Sequence, residues 1–136
     1  MKKKGTKAMS MAIALLMLAL GAGAVVTQQS AMTKQSDGTY IVNTTTLCQN
    51  VKGYRGTTPL KIYIKNDKVE KIEALKNQET PKYFARVKEQ VLGKWNGKTV
   101  KKATKLKVNG VTGATMSSDA VKKNVTKGLE YYQAHK

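Results

Sequence analysis

The chain predicts an α+β domain, a small antiparallel β-sheet with a middle helix and a C-terminal helix packed on it, preceded by an apolar signal or anchor segment. Three observations carry this prediction. Apolar residues alternate in the middle of the chain, at Leu60, Ile62 and Ile64. After Leu75 the spacing becomes helical, with Phe84, Val87 and Val91 recurring at steps of three and four. The chain ends on an apolar stripe, Val121, Val125, Leu129 and Tyr132, at steps of four, four and three.

The elements follow in order. Lys2, Lys3, Lys4 and Lys7 precede a run from Ala8 to Val26 that holds no charged residue. A positive stretch followed by an apolar one is the pattern of an export signal, and its length borders on the roughly 20 residues of a spanning helix. Ala22-Gly23-Ala24 offers a signal peptidase small residues. Cleaved or retained, the segment places the body of the protein outside the cytoplasm, periplasmic, secreted or anchored to the cell membrane. The division predicted is residues 1–26 as signal or anchor, 27–37 as linker and 38–136 as the folded domain.

"TQQSAMTKQSD" (27–37) is polar and without period. "TYIVNTTTLC" then reads as a first strand through Cys48, with Tyr40, Val42, Thr44, Thr46 and Cys48 on one face. "KGYRGTTP" interrupts it. The alternating run from Leu60 and the following "KVEKIEAL" are joined by Asn66-Asp67, which predicts an antiparallel hairpin. Thr80-Pro81 marks a helix start, hydroxyl at the N-cap and proline at the first helical position, and Gly93 and "WNG" mark its end. Thr99 is placed to cap a short helix through Lys105, "KVNGV" reads as extended, and the terminal helix follows.

Composition narrows the function. The formal charge is +17, and without the four amino-terminal lysines the remaining 21 basic and 8 acidic side chains leave +13. This balance favours anionic partners. Nucleic acid is not expected among them: Arg55 and Arg86 are the only arginines, the lysines are scattered, and few aromatic residues beyond Tyr131 and Tyr132 are placed for stacking. Cys48 is alone, which rules out an internal disulfide, and His135 is the only histidine, which argues against a His/Cys metal site.

The richest stretch is "VNGVTGATMSSDAV", residues 108–121. A helix needs one capping hydroxyl, whereas this run offers Thr112, Thr115, Ser117 and Ser118. Small residues before a helix start let backbone approach a ligand, and the free N–H groups there suit a phosphate. The alternative is a helix cap with spare hydroxyls. Neither a P-loop nor a dinucleotide fingerprint is present.

"VNGVTGAT" followed by "MSSDAV" resembles the flavinylation motif of FMN-binding domains, the family that includes flavin-carrying components of the sodium-pumping NADH:quinone reductase and of the related Rnf electron-transport complex. "GTY" at the first strand, "GYRG" before the hairpin and Glu79-Thr80-Pro81 are similar to family segments as well. The resemblance implies an extracytoplasmic electron-transfer domain carrying FMN, joined by a phosphoester to Thr115 through the action of a separate flavin transferase, with membrane-associated redox partners. It implies a cofactor site built from Asn109, Thr112, Gly113, Ala114, Thr115, Ser117 and Ser118, with Thr112, Gly113 and Ala114 forming the turn and Ser117 and Ser118 near the helix start, and it puts Glu79 and Thr80 near the flavin ring; Ser117 or Ser118 is then expected to cap the helix. Asn109 stands where the family motif has aspartate, and Lys82 where its large members have glycine.

Two other functions fit the composition: a cofactor-free basic module for anionic polymers or membrane surfaces, and a reductase with loosely held FMN. Nothing resembles a nicotinamide site, so a flavin carrier or redox subunit ranks above an independent enzyme.

Overall fold

A computed structural model describes residues 30–136, and the predicted signal or anchor segment, 1–26, lies outside the described residues. Four antiparallel strands, β1 (Met32–Lys34), β2 (Tyr40–Asn43), β3 (Leu60–Lys65) and β4 (Lys68–Ala74), lie in chain order across one sheet. Three α-helices follow, α1 (Pro81–Gln90), α2 (Val100–Ala103) and α3 (Thr115–His135), with a 3-10 turn at Leu92–Trp95 between the first two. The predicted α+β class is the one observed. Among the described residues no helix is long and apolar enough to cross a membrane.

The β3–β4 hairpin forms where the alternation places it. Asn66 and Asp67 take φ of 53° and 61°, the left-handed conformations a two-residue hairpin turn requires and that Asn and Asp tolerate. Ile62 pairs with Ile72 and with Val42, so the apolar sides of three strands coincide. Val42, Leu60, Ile62, Ile64, Val69 and Ile72 are buried on that face, while Lys61, Tyr63, Lys71 and Glu73 alternate on the other.

Helices cover the apolar face. Val121, Val125, Leu129 and Tyr132 of α3 are all buried, as the terminal stripe predicts. Each fully buried Val, Leu or Ile contributes about 1.5–3 kcal/mol, which is what holds this helix on the sheet. Gly128 lets α3 approach closely: a Cβ there would come within 2.5 Å of Ile62 Cδ1 and 3.1 Å of Thr44 Cγ2. From α1, the 3-10 turn and α2, Phe84, Val87, Leu92, Trp95, Val100 and Ala103 close the other end of the core. Thr99 caps α2, its hydroxyl accepting from Lys102 N–H at 3.3 Å, although the helix stops at Ala103 rather than Lys105.

Three expectations need correction. The first strand does not run to Cys48. It stops at Asn43, because Thr44 turns its hydroxyl inward to accept from Leu60 N–H (2.9 Å) and donate to Asn124 Oδ1, and the chain then turns through Cys48, whose N–H reaches Thr44 C=O at 2.9 Å. The stretch read as a linker contributes β1, joined to β2 by a turn in which Asp37 accepts from Thr39 N–H and Gly38 takes φ of 93°. "KVNGV" forms no strand.

Asn124 ties the long β2–β3 connection to α3. Fully buried, it accepts from Thr44, donates to Ala120 C=O at 2.9 Å and approaches Thr58 Oγ1 at 3.4 Å. Asn124→Ala is expected to leave the buried Thr44 O–H without its acceptor, although the oxygen still accepts from Leu60 N–H, and to cost about 1–3 kcal/mol. Urea unfolding reads this as a lower midpoint with an unchanged slope.

Candidate functional site

Chemistry converges at the start of α3. The helix begins at Thr115, not beyond Ser118, and its N-cap is Ala114, which makes no side-chain hydrogen bond. Neither Ser117 nor Ser118 caps it. Both lie in the first turn and face inward, and each hydroxyl is already engaged. Ser118 Oγ donates to Ala114 C=O at 2.8 Å and accepts from Val111 N–H at 3.0 Å, fixing the preceding loop against the helix. Ser117 Oγ donates to Glu79 Oε1.

Glu79 is the organising acid. Only 4% exposed, its carboxylate accepts from the N–H groups of Tyr54 (2.8 Å), Arg55 (2.6 Å) and Gly56 (3.0 Å) as well as from Ser117. The loop is shaped for it: Gly53 N–H bonds Gly56 C=O at 2.7 Å, and a Cβ on Gly53 would sit 2.5 Å from Glu79 Oε1. Burial acts to raise the Glu79 pKa, but the four donors outweigh it and hold the group below the ordinary carboxylate value. One carboxylate thus joins the tip of the β2–β3 connection to the first turn of α3.

A cavity of about 470 Å³ lies between them, lined by Tyr54, Thr80, Tyr83, Gly113, Ala114, Thr115, Met116 and Ser117. Its size is that of a small-molecule site. Three of its walls are large side chains left in solvent: Tyr54 is 71% exposed, Met116 55% and Tyr83 42%. In a small domain, exposed aromatic and thioether groups gathered at one cavity suit a planar aromatic ligand.

The floor suits an anion. The N–H groups of Thr115, Met116 and Ser117 have no intrahelical acceptor, the first turn holds no acidic residue, and the dipole's positive end points outward. Gly113, with φ of 86°, makes the turn before it. Arg86 on α1 reaches across, its Nη2 donating to Thr112 C=O at 3.3 Å. Among the described residues the Thr115 hydroxyl takes part in no side-chain hydrogen bond, and Thr115 is exposed. His135 is at the opposite end of α3, about 30 Å away for 21 residues.

Of the residues singled out by sequence, Thr115, Gly113, Ala114, Ser117 and Thr80 meet at this cavity, and Thr112 stands at its edge, in the turn. Glu79 stands behind the wall, bonded to backbone and to Ser117. Asn109 lines a separate cleft rather than this cavity, and the buried Val111 lies between it and Thr115 along the chain. Thr80 begins α1 without capping it through its side chain. Sequence reasoning passed over Tyr54, Tyr83, Met116 and Arg86 as site residues. Arg86 had one signal, being an arginine in a lysine-rich chain, whereas exposure of the other three becomes visible only in the fold.

Comparison with protein families matches residues 53–130, more than half of the chain, to the FMN-binding domain. The match begins at the Gly53 loop and spans the whole of the cavity lining. No curated protein and no solved structure matches the chain.

Glu79→Gln retains the shape but turns an amide N–H₂ toward the loop N–H groups, and is expected to cost about 1.5–3 kcal/mol. Because the folded pKa is depressed, the carboxylate's contribution is present above its ordinary value of 4.5 and is lost as pH falls through the lower folded value. The gap in urea midpoint between the wild type and E79Q is therefore widest near neutrality and narrows below pH 4.5; a gap independent of pH would refute the assignment.

Proposed function

The chain belongs to the FMN-binding domain family, and from that premise we propose that it is an extracytoplasmic electron-transfer domain whose FMN is esterified to Thr115. FMN, when bound, supplies the redox chemistry through its isoalloxazine ring. The observation that carries the reading is the state of the four hydroxyls in "TGATMSS". Ser117 and Ser118 are buried and engaged, Thr112 is outside the cavity lining, and Thr115 is exposed at the cavity and at the helix start.

The residues present fit the cofactor. The unpaired N–H groups of the first turn of α3 and the Arg86 guanidinium favour a phosphate at Thr115. Tyr54, Tyr83 and Met116 offer apolar and π surface for the ring. The lysine-rich surface adds a positive field that favours the phosphate and a reduced, anionic flavin.

Attachment needs outside help. A threonine hydroxyl is a poor nucleophile at neutral pH without a base, the only histidine is at the far end of α3, and Glu79 is committed to four donors. Thr115 is thus an acceptor. Its oxygen forms the new bond to the FMN phosphorus of FAD, AMP leaves, and the base that takes the hydroxyl proton belongs to a separate flavin transferase. A covalent tether keeps the cofactor on a domain outside the cytoplasm, where a dissociated one would diffuse away. The amino-terminal segment, as signal or anchor, delivers the domain outside the cytoplasm, and retained as an anchor it holds the domain near membrane-associated redox partners.

Coexpression with a flavin transferase is expected to raise the intact mass by FMN less one water and to leave a fluorescent band on a denaturing gel. Thr115→Ala should abolish both. A gain that persists in T115A, or colour lost entirely on denaturation of the wild type, would defeat covalent attachment at this residue.

A further inference from the structure

Between Gln90 and Ser118 the chain carries six lysines, Lys94, Lys98, Lys101, Lys102, Lys105 and Lys107, and no acidic residue. All six are exposed. The ion pairs among the described residues engage Lys65, Lys71, Lys122 and Lys136, and none of the six. Three of them, Lys94, Lys98 and Lys107, line a cleft of about 680 Å³ together with Leu106, Asn109 and a single acid, Glu89. Leu106 is one of the few large apolar side chains left exposed, at 37%. An exposed apolar anchor among unpaired charges of predominantly one sign is the make-up of a protein-docking surface.

The cleft adjoins the Thr115 site. Its wall ends at Gly110, where a Cβ would lie 3.1 Å from Ser118 Cβ, and Ser118 is one helical turn from Thr115. A partner seated there lies beside the first turn of α3 without covering Tyr54 or Met116, which line the other cavity. We infer that this lysine-lined cleft is the surface on which an acidic redox protein docks to exchange electrons with the domain. A concave cleft with its apolar residue among the lysines takes a protruding acidic loop or helix, whereas a lipid bilayer presents a flat surface to the rim. The redox purpose rests on the reading of Thr115 as the flavin carrier; the docking itself does not.

The probe is fluorescein-labelled poly-L-glutamate, its binding to the full chain coexpressed with a flavin transferase followed by anisotropy at low and at physiological ionic strength. A cleft in which three lysines outweigh one acid concentrates anionic partners, by about 10-fold or more, so K94E/K98E/K107E is expected to weaken binding by roughly that factor and to flatten its salt dependence. K34E/K123E/K127E changes the net charge equally at exposed lysines outside the cleft and should shift binding far less. Equal weakening by the two triple variants would overturn the inference in favour of net charge alone. Cleft lysines required for binding phosphatidylglycerol vesicles but not poly-L-glutamate would overturn it in favour of a membrane. Flavin absorbance of the same samples reports separately on Thr115: cleft-dependent binding in protein that carries no flavin upholds the docking surface while counting against the flavin reading.

Discussion

The structure turns on one buried carboxylate. Glu79 collects three consecutive backbone N–H groups from the Gly53–Gly56 loop and a hydroxyl from the first turn of α3. Burying a carboxylate is costly unless its lone pairs are filled, and four donors fill them well enough to depress its pKa despite burial. The same group precedes Thr80 and Pro81, so the start of α1 is pinned to the same point. Remove it, and the loop that carries Tyr54, the helix that carries Tyr83 and the turn that carries Thr115 lose their common anchor.

That constraint allocates the hydroxyls. α3 begins without a side-chain cap, and the two serines of its first turn bind its surroundings instead: Ser117 holds Glu79, and Ser118 holds Val111 and Ala114. Thr115, at the first helical position, faces out beside the unpaired N–H groups. Close approach at the turn depends on Gly113, whose positive φ excludes most side chains, and on Arg86 holding Thr112 C=O. Free N–H groups and an exposed hydroxyl thus meet at one helix start.

Local rules made much of the fold legible. Leu60, Ile62 and Ile64 with Asn66-Asp67 determined a hairpin because alternation and turn chemistry agreed, and Thr80-Pro81 and the Val121 to Tyr132 stripe located helices for similar reasons. What escaped was set by distant contacts. β1 lies in a polar stretch and exists through backbone pairing with β2. The first strand ends early because Thr44 satisfies Asn124, 80 residues away. The serines looked like caps because sequence cannot show that Glu79 lies across from them, and Asn109 looked like part of the site although it lines a different cleft. For the site itself, motif resemblance identified the turn, while the aromatic and thioether walls and Arg86 required the fold.

On the proposed reading, a flavin tethered at Thr115 beside an open cavity, with a basic cleft whose wall reaches Ser118 in the same helical turn, is a compact arrangement for a carrier whose partners come and go. On this reading, occupancy and exposure leave Thr115 as the acceptor among four neighbouring hydroxyls. Tandem mass spectrometry of the flavin-bearing peptide spanning residues 108–122 tests this most directly. Fragment ions that place the whole FMN mass on Thr115 are the predicted result; FMN on Thr112, Ser117 or Ser118 would contradict the account.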